Sequence, residues 1–342
     1  MSPLKEISAV SREQFERDVT SAYEPVVLRG AVAQWPLVAQ ARAGLEPCLQ
    51  YLMGFDNGTP VEALLAKPTP ERAFTYQPAL EGFNFVRDQR PYAALFEQLW
   101  RYSHFPEPPS LAAQSALVSC ALPGLERANA CPLLDAELAP RIWIGNRATV
   151  PAHFDDSHNL ACVAAGRRRF TLLPPQCGPL LYLGPPDYAP TPAPMSIVPN
   201  LHRADPAQFP LVAKAMERAL VAELDAGDAI YIPPLWFHQV EALAPHLNIL
   251  MNYWWRPAPG PQRRDDLHLA AMRLAMLAFR HLPDGERDGW RALFEHYVFG
   301  ARGEEALAHI PAGQRHLFGE IDAAQEASLR KDLAELLVRY QR

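Results

Sequence analysis

The sequence predicts a mainly β fold with flanking helices: a barrel or sandwich of short strands, then a helical C-terminal region. Three observations predict it. Of 35 prolines, 33 lie in residues 1–261, and only Pro283 and Pro311 lie beyond. From Arg141 on, short runs of β-branched and aromatic residues end at Gly or Pro-Pro. After Pro261 the apolar residues switch to helical spacing. Hydrophobic residues make up 49% of the 342 positions and charged residues 20%, which supports a packed core and excludes a disordered chain.

Residues 11–22 form a short helix that opens with a Ser11-x-x-Gln14 capping box. Pro25-Val-Val-Leu-Arg-Gly is a strand ending in a turn. Residues 40–140 mix short helical patterns with Pro-rich breaks, and their order is not legible. Arg141–Gly145 is a strand, Cys162–Gly166 a strand and turn, and Arg168–Leu173 a strand stopped by Pro174-Pro175. Asp228–Ile232 is a strand stopped by Pro233-Pro234, and Asn248–Trp255 a long strand stopped by Pro257. Residues 174–210 hold 11 prolines and make a long crossover loop, either functional or a rigid surface connector.

Leu267, Ala270, Ala271, Leu274, Leu277 and Ala278 share one helical face, with Met272, Met276 and Phe279 on another. A helix apolar on most of its circumference is expected to be buried on most of it. Further helical segments run from about Trp290 to Phe299 and from Asp322 to Tyr340. The chain thus divides into a barrel domain, 1–260, with N-terminal helical elements, and a helical region, 261–342, whose apolar excess suggests docking and a homodimer.

The net charge of -6 does not suit a chain that grips nucleic acid, and Arg167-Arg168-Arg169 is too short a basic run for that purpose. Only four lysines occur, so most fixed positive charges are guanidinium groups. Cys48, Cys120, Cys131, Cys162 and Cys177 form no CxxC pair and are expected to be buried reduced thiols. The N-terminus has no apolar signal core and there is no 18-residue apolar run, so a cytoplasmic protein without membrane attachment is expected.

His153, Asp155 and His238 carry the chemistry. In an extended chain, residues two apart point the same way, so His153 and Asp155 converge. Two histidines and a carboxylate make a facial metal triad that leaves positions open for other ligands. An HxD pair alone is weak, and a surface turn is the bland alternative. The context is more specific: Gly227, Pro233 and His238 keep a G-x5-P-x4-H spacing.

That spacing resembles the second conserved motif of cupin barrels, with Leu235 where a glycine is usual. His153-Phe-Asp155-x-x-x-Asn159-Leu and Gly166-Arg-Arg-Arg-Phe-Thr-Leu-Leu-Pro-Pro resemble the JmjC-related, cupin-like hydroxylases, the group of the asparaginyl hydroxylase acting on hypoxia-inducible factor. The resemblance runs from Pro25 through Trp35-Pro36, Asp205-Pro206 and Phe209-Pro210 to Trp255, about two thirds of the chain. It implies a double-stranded β-helix, a jelly-roll barrel. It implies Fe(II), 2-oxoglutarate as co-substrate, O2, and hydroxylation of a C–H bond with succinate and CO2 as co-products. Such proteins often dimerise through C-terminal helices.

By position, His153, Asp155 and His238 match the iron ligands. Arg168 stands where a lysine usually meets the far carboxylate of 2-oxoglutarate, a task a bidentate guanidinium can perform. Strand alternation puts Arg168, Phe170 and Leu172 on one face and leaves Arg167 and Arg169 solvated. Asn159 and Asn252 match polar positions near co-substrate and iron. Trp254 shares a face with Asn252, either closing the pocket floor or packing in the core. The residue three before the first ligand is often threonine and here is Val150, with Thr149 one place earlier. Either another hydroxyl, that of Tyr182, Tyr231 or Ser157, serves in its place, or 2-oxoglutarate binding is weaker. His158 and His246 are expected to be structural or exposed, and Cys162 a core thiol. The substrate is a protein side chain or small molecule. Two rival readings keep the barrel: a cupin of other metal chemistry, and a non-catalytic binding protein.

Overall fold

The structure is a computed structural model that describes residues 2–256, 267–300, 305, 307–319 and 321–339. It comprises two compact units, Met1–Asp266 and Leu267–Arg342. The expected boundary at 260/261 and the strand stop at Pro257 lie outside the described residues, as does Tyr340.

The first unit holds fourteen strands: β1 Ser2–Pro3, β2 Glu6–Ser8, β3 Val26–Arg29, β4 Val61–Ala66, β5 Phe85–Arg90, β6 Ser110–Leu117, β7 Arg141–Gly145, β8 Thr149–His153, β9 His158–Ala165, β10 Arg167–Leu173, β11 Leu220–Asp225, β12 Ala229–Ile232, β13 Phe237–Ala242 and β14 Asn248–Trp255. They form two sheets, of order β1-β11-β10-β13-β8 and β2-β3-β12-β9-β14-β7-β6-β4-β5. This is the expected jelly-roll arrangement, and it is mostly antiparallel. Non-consecutive neighbours such as β8 beside β13 and β9 beside β14 bring distant segments of sequence to one place.

The inner faces of the sheets meet in an apolar lumen that includes Ala161, Val163, Phe170, Leu172, Leu224, Ile230, Val240 and Leu250. The outer face of the nine-stranded sheet packs against helices Pro36–Ala43, Leu45–Met53 and Tyr92–Tyr102. Gly166 turns β9 into β10 at φ +74, and a Cβ there would lie 2.5 Å from the Leu247 carbonyl. Glycine is the residue that meets both demands.

The capping box forms: Ser11 Oγ accepts from the Gln14 amide at 3.2 Å, and Gln14 Oε1 from the Ser11 amide at 3.0 Å. The helix it opens is short, Arg12–Gln14, and continues as a wider turn through Thr20. Three strands emerge from the illegible stretch 40–140: β4, β5 and β6. The strand expected from Cys162 begins earlier, at His158.

The proline-rich crossover is docked. Cys177, Leu181, Val198, Leu201, Phe209, Val212 and Ala215 pack with Leu173 and Phe237. Polar groups pin the same segment. His202 Nε2 meets Thr171 Oγ1 at 2.7 Å, the Leu201 amide donates to Gln239 Oε1 at 2.8 Å, and Asn200 donates to Glu241 at 2.9 Å.

The second unit contains helices Leu267–Phe279, Asp284–Phe294 and Ala323–Arg339. The expectation that the first is mostly buried is not met in the single chain. Leu274, Met276 and Leu277 are exposed, and within that helix only Leu269 is buried. Among the described residues no helix is long and apolar enough to cross a membrane.

Candidate active site

His153 is the last residue of β8 and His238 the second residue of β13. The two strands are antiparallel and pair these histidines directly, with ring centroids 4.3 Å apart. Asp155 follows two residues after β8. The ligand atoms of His153, Asp155 and His238 all lie within 4.8 Å of one another, so the set could hold one metal ion. The facial triad expected from the sequence is therefore brought together in space.

The imidazoles are oriented by the main chain. His153 Nδ1 contacts the Pro151 carbonyl at 2.9 Å and His238 Nδ1 the Trp236 carbonyl at 3.1 Å. A carbonyl only accepts, so the proton sits on Nδ1 and the Nε2 lone pair is left for a metal. Burial, and then the neighbouring His238, push His153 down to about 4, so it is neutral at neutral pH.

The carboxylate is held as firmly. Asp155 Oδ2 accepts from Asn159 Nδ2 at 3.0 Å and from Trp254 Nε1 at 3.1 Å. Asn252 Nδ2 in turn donates to Asn159 Oδ1 at 2.8 Å. The expected polar residues thus form one relay, and Trp254 belongs to it through its indole N–H rather than only by packing. Sequence pairing explains this, since Trp254 opposes Asn159 between β14 and β9. The Asp155 carbonyl accepts from the Leu235 amide at 2.7 Å. Leu235 has φ +68, the left-handed region that suits glycine, and its side chain is 48% exposed.

Arg168 lies on the lumen face of β10, buried to 8% exposure. Its Nε has no hydrogen-bond partner, and burial alone pushes the guanidinium down to about 10. An unpaired buried cation is costly, and an anion bound beside it would offset that cost. Leu172 opposes His238. Arg168 stands four residues before Leu172 on the same face, about 13 Å away along the strand. As expected, its neighbours face outward: Arg169 pairs with Glu223 at 2.7 Å, and exposed Arg167 pairs with Glu223 and Asp225.

Thr149 and the three hydroxyls considered in place of the missing threonine each have a partner within the protein. Thr149 Oγ1 donates to the Glu71 carbonyl at 2.8 Å, Tyr231 meets His158 Nδ1 at 2.7 Å, and Ser157 donates to Asp156 at 3.2 Å. Tyr182 accepts from the Leu211 amide at 3.1 Å, within the outer cluster. His158 is buried and stacked on Trp255 at 5.3 Å, and His246 is exposed. Sequence reasoning missed Met195, which bridges His153, and Ser196, whose amide donates to the Ala152 carbonyl at 2.7 Å. The crossover therefore edges the site. No local pattern signals that contact.

A model of the cupin-like domain matches residues 12–260. The chain belongs to the cupin-like family. Over 239 residues, 67% of this chain, it is 26% identical to lysine-specific demethylase JMJ31 of Arabidopsis thaliana, covering 38% of that protein. Over 258 residues, 74% of this chain, it is 24% identical to Jumonji C domain-containing protein 5 of Drosophila melanogaster, covering 59% of it. A shorter match, 33% over 108 residues and 32% of this chain, covers 30% of human tRNA wybutosine-synthesizing protein 5. The chain thus spans less than two thirds of the length of each of these relatives. Cupin-like, JmjC-related membership supports iron- and 2-oxoglutarate-type oxygenase chemistry at the family level.

Proposed function

We propose that this protein is an Fe(II)- and 2-oxoglutarate-dependent oxygenase that hydroxylates a C–H bond of a protein side chain or small molecule. One observation carries the reading: a buried guanidinium without a partner, Arg168, on the same lumen face as a His-Asp-His cluster. The interval of about 13 Å along β10 suits an extended arginine plus a five-carbon dicarboxylate that reaches a metal at the triad. A barrel of other metal chemistry has no use for that cation.

The residues present fit the cofactor. His153 and His238 offer neutral Nε2 atoms and Asp155 a carboxylate, a donor set suited to a divalent iron with positions to spare. Bound Fe(II), with 2-oxoglutarate and O2, supplies oxidative decarboxylation to succinate and CO2 and the oxidising power that hydroxylates the substrate. The chain supplies orientation. Asn159 and Trp254 donate to Oδ2 of Asp155 and so fix the orientation of its carboxylate beside the two imidazoles. Arg168 fixes the far end of the co-substrate by a charge-assisted pair. The apolar lumen excludes water. Incubation with 2-oxoglutarate labelled at C1 tests this: labelled CO2 in amounts matched by succinate supports it, and none from folded, iron-loaded protein contradicts it.

The exposed apolar residues of the second unit favour a homodimer. Leu277, Phe299, Leu333 and Val338 are each at least 60% exposed, and among the described residues of this unit few apolar side chains are buried. A second copy supplies a matching apolar face.

A further inference from the structure

We infer that Met195 is a self-modification site: the side chain that the protein's own oxygen chemistry converts from thioether to sulfoxide when no substrate is bound. That modification rests on the oxygenase reading above and adds a target residue to it. Met195 lies in the proline-rich crossover and forms an antiparallel bridge with His153. On its other side His153 pairs with His238, and His238 pairs with Leu172 of β10. Met195, His153, His238 and Leu172 therefore make one row across four neighbouring segments. Residues paired across a ladder project from the same face.

The flanking residues show which face that is. Leu172 belongs to the lumen cluster. Ala152 and Phe237, each one residue before a histidine of the row, belong to the outer cluster with the crossover. Ser196, one residue after Met195, donates its Oγ to the Leu181 carbonyl at 2.6 Å in that same outer cluster. Alternation then sends Met195 to the lumen side with the two imidazoles. The Ser196 amide bonds the Ala152 carbonyl at 2.7 Å, one step outside the Met195–His153 pair. That bond marks the pair as the closer, non-hydrogen-bonded kind, with β-carbons about 4.5–5.5 Å apart. Met195 is buried, so oxidants in bulk solution do not reach it as they reach the exposed Met53, Met272 and Met276.

A thioether suits this place as an oxygen acceptor. Methionine is unbranched and flexible, and its sulfur takes an oxygen atom without the loss of a C–H bond. Trp254, the other oxidisable side chain beside the cluster, is tied by its N–H to Asp155 and packs edge-on against Trp143. The chemistry balances. 2-Oxoglutarate loses C1 as CO2, one atom of O2 enters the new carboxylate of succinate, and the other forms the S–O bond on Met195. Two electrons come from 2-oxoglutarate and two from sulfur, together they reduce O2, and no proton is exchanged.

The test has a geometric arm and a chemical arm, both on the full chain. Protein is grown with methyl-labelled methionine, and Met195→Leu assigns the Met195 methyl signal by its disappearance. Fe(II) added under argon, without 2-oxoglutarate, should broaden that signal more than any other methionine signal, and diamagnetic zinc should not. In the second arm, protein loaded with Fe(II) and 2-oxoglutarate receives isotopically heavy O2 without substrate, with catalase present to remove released peroxide. Met195 is the single methionine of tryptic residues 170–203. That peptide should gain one heavy oxygen atom in most molecules as succinate forms, lose it to methionine sulfoxide reductase after digestion, and gain none when 2-oxoglutarate is omitted. A Met195 signal that Fe(II) leaves sharp would overturn the placement and the inference with it. Succinate formed without heavy oxygen on Met195, or with the oxygen on Trp254 or on Met53, Met272 and Met276 instead, overturns the inference and leaves the oxygenase reading standing. No succinate from folded, iron-loaded protein removes both.

Discussion

His153 and His238 face each other across the β8–β13 pair at 4.3 Å between ring centroids, and each ties its Nδ1 to the carbonyl two residues before it. The same local device on two separate strands turns both Nε2 atoms toward Asp155. Strand register sets the two histidines of the candidate metal centre, and β-ladders hold side chains more precisely than loops do.

Asp155→Ala should leave the barrel folded and abolish Fe(II) retention. Asp155 lies past the end of β8, and its partners Asn159 and Trp254 are anchored in β9 and β14. Metal analysis of protein purified without a chelating tag, beside circular dichroism, checks both halves.

Arg168→Met should have opposite effects on stability and binding. It removes a buried cation that has no partner, so the protein without co-substrate should gain about 1–3 kcal/mol. It should also lose binding of 2-oxoglutarate. Denaturant melts, with and without 2-oxoglutarate, read both. A loss of stability would mean that Arg168 is a structural residue.

Trp254→Phe keeps the ring and its edge contact with Trp143 but removes one of the two donors to Asp155 Oδ2. Metal affinity should fall about 10–100-fold, the usual effect of losing an orienting partner. A competition titration with a coloured chelator measures it.

The pH dependence follows from Arg168, pushed down to about 10 by burial. Below that value the guanidinium is charged and 2-oxoglutarate affinity is flat; above it, affinity should fall about tenfold per pH unit as the cation is lost. The folded protein without co-substrate binds fewer protons than the unfolded chain between about 10 and the ordinary guanidinium range, so its stability should rise there. Affinity measured across pH 10 gives the sign.

Leu235→Gly should stabilise the protein by about 1 kcal/mol, because a β-carbon is removed from a left-handed backbone while an exposed side chain is all that is lost. The amide bond to the Asp155 carbonyl is kept. Thermal unfolding checks it.

Much of the site was legible because its residues sit at fixed spacing on alternating strands. His153, Asp155, Asn159 and Arg168 fall within one stretch of β8, β9 and β10, where a period of two separates lumen from exterior. Asn252 and Trp254 repeat that period on β14. Which hydroxyl, if any, stands in for the usual threonine was not legible, because the contacts of Ser157, Tyr182 and Tyr231 with Asp156, Leu211 and His158 follow no local pattern. β4 and β6 were missed since burial on both faces erases alternation. β13 was missed because Gln239 and Glu241 are polar, yet the crossover residues Asn200 and Leu201 cover them. The helix from Leu267 was read as buried, but its apolar surface is uncovered within one chain. Size-exclusion chromatography with light scattering should report a dimer, and a monomer at micromolar concentration would remove the reason proposed for that surface.

The central claim joins two groups, the His-Asp-His cluster and the Arg168 guanidinium, through one co-substrate. Anaerobic absorption spectroscopy with Fe(II) and 2-oxoglutarate tests that join most directly. A weak metal-to-ligand charge-transfer band is expected in the visible that saturates with 2-oxoglutarate, vanishes in Asp155→Ala, and needs far more 2-oxoglutarate in Arg168→Met. No band from folded protein that retains iron, or an unchanged 2-oxoglutarate titration in Arg168→Met, would contradict it.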